Sequence, residues 1–409
     1  MKKSIFRNQT LIIGIIICLS LIIWQVWGFN NGFSIFSKEQ NSNASSSRIL
    51  FVISASPSPS PTPSYPRLSP APLVVKAVYL TSYSAGNPQK IEEIIKLIDE
   101  TELNGVVIDI KDYTGKVAFE TQSDLIKSLN AEEIKIKDFD SLVKKFHEHN
   151  IYVIVRVAVF QDLNLVKQKP EVAVKNKFNG GIWRDRKGIS WVDPASKFVW
   201  DYNIEVSKEA IKLGVDEINF DYIRFPSDGD MKALAYPVFD ENQLSKSQQL
   251  EQFFKYLNEN LKPTEVKLSV DLFGLSTVNN DDLGIGQKIE SAYLYFDYIC
   301  PMVYPSHYAN GFIGYQNPAQ YPYEVIDYSL QKALIKRENL IKEMASTTPD
   351  FASSSIGVLR PWLQAFDLGA DYTPSMIKKE IQAVYDNKLY YGWYLWDPKN
   401  IYNPAIFQH

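Results

Sequence analysis

Two aspartates, Asp221 and Asp271, each lie inside a short run of apolar residues, and they are the residues best suited to chemistry. If both runs are strands, alternation puts Asp221 on the face of Asn219 and Asp271 on the face of Ser269. A carboxylate is costly there unless it is hydrogen-bonded or paired, and Arg224 is near enough in sequence to hold Asp221 ionised. Glycoside cleavage needs one ionised carboxylate and one protonated carboxyl. We therefore expect Asp221 as the nucleophile and Asp271 as the acid/base, with a structural Asp221–Arg224 pair and a buried, hydrogen-bonded Asp271 as the alternatives.

Polar and aromatic side chains near the ends of the other apolar runs are candidates for binding the substrate. They are Asp109, Arg156, Asn219, Arg224, Tyr304, His307, Gln364, Trp396 and Asp397. Arg156 lies within a very apolar run, so it needs an acidic partner whatever the function. For Asp109 a buried ion pair with Lys111 or Arg156 competes with substrate binding, and Asp397 alternatively starts a turn.

Other kinds of site have little support in the sequence. It contains no zinc-type ligand spacing, no glycine-rich phosphate loop and no Gly-x-Ser-x-Gly elbow, so we expect neither a metal nor a cofactor. A net charge of −4 and a pI near 5.8 argue against a nucleic-acid partner. Aromatic residues make up 13 % of the chain, which suits stacking on sugar rings and favours a carbohydrate partner.

The elements that would position these residues are eight short β-branched and aromatic runs, most of them separated by amphipathic helical patterns. The runs are Val75–Tyr83, Gly105–Asp112, Tyr152–Phe160, Glu217–Pro226, Val266–Gly274, Tyr298–Ser306, Val358–Phe366 and Tyr390–Pro398. Eight strand–helix units predict an α/β fold, a (β/α)8 TIM barrel with its chemistry at the C-terminal ends of the strands.

Three long connections follow strand ends on that face: 161–196, 227–245 and 308–324. Long loops there commonly shape a binding site. The first contains Trp183 and Trp191, which we expect either to stack on sugars or to pack within the loop.

The N-terminal residues indicate a membrane anchor. Lys2, Lys3 and Arg7 precede an apolar run, residues 11–27, that is just long enough to span a bilayer. We therefore expect a transmembrane helix in residues 1–29, with the N-terminus in the cytoplasm, and a cleaved signal peptide is the alternative. A disordered Ser/Pro-rich linker (30–72) would connect it to an extracytoplasmic barrel (73–409).

Several phrases resemble a family of bacterial, exported barrels regarded as glycoside hydrolases and distantly similar to the α-amylase clan. They are Trp191-Val-Asp-Pro194, Glu209-Ala210, Gly214-Val-Asp-Glu-Ile218 and Phe220-Asp-Tyr-Ile-Arg-Phe-Pro226. The resemblance covers residue 74 to the C-terminus and implies a nucleophile at Asp221 and an acid/base at Asp271. In the clan the acid/base is Glu, and an Arg stands where this chain has Asn219. The transition-state stabiliser would be Asp109 or Asp397.

Together these patterns predict a membrane-anchored glycoside hydrolase that acts on a polysaccharide or cell-surface glycan by a retaining mechanism. Three alternatives use the same barrel. They are a transglycosylase with the same two carboxylates, a non-catalytic glycan-binding protein, and a scaffold for envelope assembly.

Overall fold

The structure, a computed structural model, describes residues 66–408. The predicted anchor and nearly all of the predicted linker lie outside the described residues. Within residues 66–408, no helix is both long enough and apolar enough to cross a membrane.

Eight parallel strands form a closed barrel in which each strand pairs with the next and the last pairs with the first. They are β1 (Val75–Leu80), β2 (Gly105–Lys111), β3 (Tyr152–Ala158), β4 (Glu217–Asp221), β5 (Lys267–Phe273), β6 (Tyr298–Met302), β7 (Val358–Leu359 and Trp362–Gln364) and β8 (Gly392–Trp396). β7 is interrupted at Pro361, which has no N–H to donate to a neighbouring strand. The predicted (β/α)8 barrel is confirmed.

Ten helices accompany the strands in residues 66–408. They are α1 (Ser82–Ala85), α2 (Pro88–Asp99), α3 (Asp124–Ser128), α4 (Phe139–Glu148), α5 (Leu163–Gln168), α6 (Lys197–Lys212), α7 (Lys246–Leu261), α8 (Ile289–Tyr295), α9 (Pro322–Thr347) and α10 (Pro374–Asp386). α2 shows why such segments are helical, since the side chain of Asn87 accepts from the N–H groups of Gln89 and Lys90. The helix then buries a stripe of four isoleucines against the outside of the barrel.

Side chains on each strand alternate between the helices and the barrel axis. On β4, Ile218 and Phe220 pack outward in the apolar core, while Glu217, Asn219 and Asp221 face the axis. An apolar and aromatic cluster fills the barrel axis from its N-terminal end up to the C-terminal mouth. Its members are Val75, Ala77, Tyr79, Val107, Tyr152, Ile154, Cys300, Tyr304, Trp362 and Tyr394, with Leu68 packed against them.

The long loop after β3 folds over the C-terminal end of the barrel. Lys175–Asn176 pairs with Leu234–Ala235 in the loop after β4 to make a short antiparallel ribbon. Trp183 and Trp191 are each only 2 % exposed. Both therefore pack within the loops, and of the two expectations for them it is loop packing that holds.

Candidate active site

Arg156, on the axial face of β3, lies at the centre of the polar cluster at the C-terminal mouth of the barrel. Its Nη1 is 2.5 Å from Asp109 Oδ1, its Nη2 forms an ion pair with Asp221, and its Nε is 3.7 Å from Asp271 Oδ2. The register of the sheet makes this possible, because Arg156 pairs with Asp109 of β2 on one side and Asn219 of β4 on the other. One buried cation thus joins three carboxyl groups from three different strands.

Asp221 is the last residue of β4, and both of its carboxylate oxygens have donors. Oδ2 accepts from Arg156, and Oδ1 accepts from the N–H of Tyr222 at 2.5 Å. Tyr222 has a left-handed φ of +50°, which turns the chain away from the strand direction directly after Asp221. A charge-assisted pair and a backbone N–H thus both contact the carboxylate of Asp221, which is 7 % exposed at the mouth.

Asp271, on the axial face of β5, has the opposite surroundings and is only 1 % exposed. Its Oδ1 accepts from Asn219 Nδ2 at 2.8 Å and from Trp362 Nε1 at 2.7 Å. Burial, followed by the negative charge of Asp221, raises the pKa of Asp271 well above its ordinary value, and Arg156 offsets part of this rise. Because Oδ1 is occupied by two donors, Oδ2 is the oxygen available to carry a proton.

Asp109 is the third carboxyl group of the cluster. It accepts from Arg156 and from the hydroxyl of Tyr79, and burial raises its pKa. Lys111 pairs instead with Asp162 at 2.8 Å, so Arg156 is the actual partner of Asp109. The Trp396 ring stacks on Tyr79 at 3.8 Å and covers the Arg156 guanidinium at 5.0 Å.

Tyr304 and His307 lie together beside the mouth. The centres of their rings are 5.3 Å apart, and the ring of Phe366 packs edge-on against both. Burial lowers the pKa of His307, which keeps the imidazole neutral and able to donate or accept a hydrogen bond. Tyr304 and His307 thus form an aromatic pair with polar edges beside the mouth, while Trp396 lies over Arg156.

Two of the predicted binding residues form hydrogen bonds within the loops around the mouth. Gln364 is fully buried, accepts from the N–H and hydroxyl of Ser306, and donates to the carbonyl of Phe366. Asp397 accepts from the N–H groups of Lys399 and Ile401 at 3.0 and 2.9 Å, which is the turn considered as its alternative. Both side chains hold the loops that surround the mouth.

The predicted ion pair between Asp221 and Arg224 is not formed. Arg156 of the neighbouring strand forms the ion pair with Asp221 instead. Arg224 lies beyond the turn at Tyr222, with its guanidinium carbon 4.8 Å from the centre of the Trp191 ring and 4.6 Å from that of Phe273. It remains at the mouth, but among aromatic rings.

Sequence reasoning missed two residues of the cluster, Tyr79 and Trp362. Both lie on the axial faces of their strands, in the alternating patterns Val75, Ala77, Tyr79 and Arg360, Trp362, Gln364. Alternation could have identified them, but aromatic residues in a strand are more often taken as core.

Two further observations concern other possible binding sites. Among residues 66–408, no group of three or more His, Cys, Asp or Glu side chains is arranged to hold a metal ion. A cleft of about 970 Å³ lies at the opposite end of the barrel, where Lys267, Tyr298 and Tyr391 line it. These residues belong to the starts of strands, so this cleft is separate from the carboxylate cluster.

Comparison with known proteins supplies a family and a fold. A family model described as a putative glycosyl hydrolase domain matches residues 77–402. No curated protein matches the chain. A hypothetical protein of known structure from Ruminiclostridium thermocellum ATCC 27405 is 37 % identical over 51 % of this chain and 98 % of its own length, with a TM-score of 0.44.

Two more distant structures share the barrel. The PgaB (BpsB) glycoside hydrolase domain from Bordetella bronchiseptica is 12 % identical over 82 % of this chain and 99 % of its own length, with a TM-score of 0.56. Alpha-L-fucosidase isoenzyme 2 from Paenibacillus thiaminolyticus is 11 % identical over 81 % of this chain and 47 % of its own, with a TM-score of 0.52. At these identities the likeness is one of fold.

Proposed function

Because the chain belongs to the family described as a putative glycosyl hydrolase domain, and is on that ground a glycoside hydrolase, we propose that Asp221 and Asp271 carry out its reaction with retention of configuration. The substrate would be a polysaccharide or a cell-surface glycan. The observation that carries the proposal is that two carboxyl groups contact one buried guanidinium, Asp221 in a close ion pair and Asp271 more deeply buried with its pKa raised by that burial.

In the first step the ionised carboxylate of Asp221 attacks the anomeric carbon of the sugar. The bond from that carbon to the glycosidic oxygen breaks, and this oxygen takes the proton from Oδ2 of Asp271. The raised pKa of Asp271 supports this role, since the group must be protonated at the working pH.

In the second step a water molecule replaces the leaving sugar. Asp271, now a carboxylate, takes a proton from the water, whose oxygen attacks the anomeric carbon and releases Asp221. Arg156 acts as a positioning residue, because it stays bound to Asp221 and lies beside Asp271 in both steps. Asp109 would stabilise the transition state through Arg156 and Tyr79.

The test begins with the full-length protein, screened against envelope and plant polysaccharides for new reducing ends. On a cleaved substrate, Asp221→Asn is expected to abolish turnover, and Asp271→Asn to lower it by about 10²–10⁴-fold. On an activated glycoside, whose leaving group departs without being protonated, azide needs no general base and should restore product formation in Asp271→Gly as a glycosyl azide. Asp112→Asn is the matched control, because the Asp112 carboxylate accepts from Thr114 on the loop after β2.

Undiminished turnover by Asp221→Asn would overturn the assignment of the nucleophile. A wild-type protein that binds glycans without forming products would point to the non-catalytic alternative. Products lengthened by an added sugar acceptor would point to transglycosylation.

The location proposed for the enzyme rests on its sequence. Basic residues ahead of the apolar stretch 11–27 suit an anchor in residues 1–29 with a cytoplasmic N-terminus, a linker in 30–72, and a catalytic barrel in 73–409 outside the cytoplasm. Protease added to intact cells should remove the barrel and leave a membrane-bound fragment. Full protection of the barrel from protease would contradict this orientation.

A further inference from the structure

Arg224 is a buried cation at the mouth of the barrel, held by aromatic rings. It is 9 % exposed, and its guanidinium lies beside the rings of Trp191 and Phe273, at 4.8 and 4.6 Å from their centres. Trp191 is itself fixed, because its Nε1 donates to Asp185 Oδ2 at 3.1 Å. The plane of the guanidinium is therefore constrained by packing.

No carboxylate among residues 66–408 forms an ion pair with Arg224. Asp221 is bound to Arg156 and to the N–H of Tyr222. Asp185 accepts from the N–H groups of Lys187 and Ile189 through Oδ1, and from two side chains through Oδ2. Asp221 and Asp185 are thus already committed, and Asp228, whose charge also acts on Arg224, forms no ion pair with it.

The hydrogen bonds of Arg224 leave one edge of the guanidinium open. Nη1 donates to the carbonyl of Phe225 and to the hydroxyl of Ser227, both at 3.1 Å, while no described residue accepts from Nε or Nη2. The Nε–Nη2 edge is one side of the fork that matches the two oxygens of a carboxylate. Desolvation lowers the pKa of Arg224, as expected of a cation without a counter-ion.

We propose that Arg224 is an anion-binding subsite and that the glycan carries a carboxylate on a sugar next to the cleaved bond, as in a polymer that contains uronic acids. This inference rests on the proposed function. The Tyr222 ring links the subsite to the catalytic cluster, since its centre is 5.6 Å from the Arg224 guanidinium carbon and 5.9 Å from that of Arg156. A carboxylate on Arg224 would thus lie beside the catalytic carboxylates, separated from Arg156 by one aromatic ring.

The test measures binding by calorimetry in the Asp221→Asn background, so that no turnover occurs. The probes are galacturonate, glucuronate and mannuronate oligosaccharides and the neutral sugars made from each by reduction of the carboxyl group. We expect at least one acidic probe to bind tenfold or more tightly than its reduced form. Arg224→Gln should remove this preference, and Arg224→Lys should retain only part of it because a lysine cannot form the fork.

Arg186→Gln is the matched control, since Arg186 is exposed in the neighbouring loop. It should change the preference less than twofold, whereas a loss equal to that of Arg224→Gln would mean unspecific attraction and overturn the subsite. Equal losses for acidic and reduced probes in Arg224→Gln would also overturn it, since that is what a merely structural arginine predicts. Thermal unfolding of each variant checks that the fold is retained.

Further measurements distinguish a carboxylate from other anionic groups, and the subsite proposal from the hydrolase proposal. Arg224-dependent binding of sulfated or phosphorylated oligosaccharides, without binding of the carboxylated ones, would overturn the carboxylate assignment. Cleavage of a neutral glycan without any preference for acidic probes would overturn the subsite and leave the hydrolase proposal intact. A preference for acidic probes without hydrolysis by the wild type would support the subsite and overturn the hydrolase proposal.

Discussion

Arg156→Met tests the idea that one cation holds the carboxyl groups at the mouth of the barrel together. The substitution keeps an unbranched side chain of similar length and removes the charge that contacts Asp109 and Asp221. All three side chains are at least nine-tenths buried, so solvent screens these pairs little. Removing one partner of a buried ion pair costs about 3–5 kcal/mol, because the other charge is left unpaired.

That cost converts into a measurable change in unfolding temperature. The unfolding entropy of a barrel of this size is about 0.7 kcal/mol per kelvin, from about 2.1 cal/mol/K per residue. We therefore expect the Tm at neutral pH to fall by about 4–7 °C, measured by circular dichroism or calorimetry.

The loss should depend on pH in a definite direction. Burial already raises the pKa values of Asp109 and Asp271 in the folded protein, and Arg156 opposes both shifts. For an acid with a raised folded pKa, the folded state binds more protons, so stability falls as the pH rises from the unfolded pKa through the folded one. Without Arg156 both pKa values rise further, and the variant should lose more Tm at pH 8 than at pH 5.

Arg337→Met is the control for this experiment. Arg337 donates to the backbone carbonyls of Gly357 and Ile356, so the effect of its removal should be the same at both pH values. A Tm loss for Arg156→Met that is equal at pH 5 and pH 8, or smaller than that of Arg337→Met, would refute the reasoning.

Two further substitutions probe buried acids. Trp362→Phe removes a hydrogen-bond donor that lowers the pKa of Asp271. The alkaline limb of the pH profile of kcat/KM should therefore move to higher pH, while KM changes little. An alkaline limb at the same pH as in the wild type would contradict the acid role of Asp271. Burial raises the pKa of Glu380, which accepts from the N–H of Gln364 and the hydroxyl of Tyr372. Glu380→Gln should therefore be more stable relative to the wild type at pH 8 than at pH 5, and a reversed order in thermal unfolding would contradict this.

The barrel was predictable because its signals are local. Each strand contains β-branched or aromatic residues, and each long helix has an apolar stripe, so all eight runs were found in the right order. The ends of the strands were predicted less accurately. The run 217–226 looked like one long strand, yet β4 stops at Asp221 because Tyr222 adopts a left-handed φ that composition does not reveal.

The candidate site was predictable as far as alternation reaches. Asp221 and Asp271 face the same axis as expected, because each alternates with an inward polar residue on its own strand. The cation between them was not predictable in the same way. Arg224 is close to Asp221 in sequence, but Arg156 is close in space, and that depends on the register between β3 and β4.

The axis of the barrel contains two charged layers, and the difference between them supports the proposal that the chemistry takes place in the upper one. In the lower layer Glu217 and Arg360 are fully buried, 2.8 Å apart, and the second oxygen of Glu217 accepts from Tyr394 at 2.6 Å. That layer has one carboxylate for one cation and no access to a ligand. The upper layer, which β4 enters at Asp221, four residues beyond Glu217, has three carboxyl groups for Arg156, so they cannot all be ionised at low cost. Asp271 is the most deeply buried of the three, and burial together with the charge of Asp221 raises its pKa well above the ordinary value, which supports the acid/base role proposed for it.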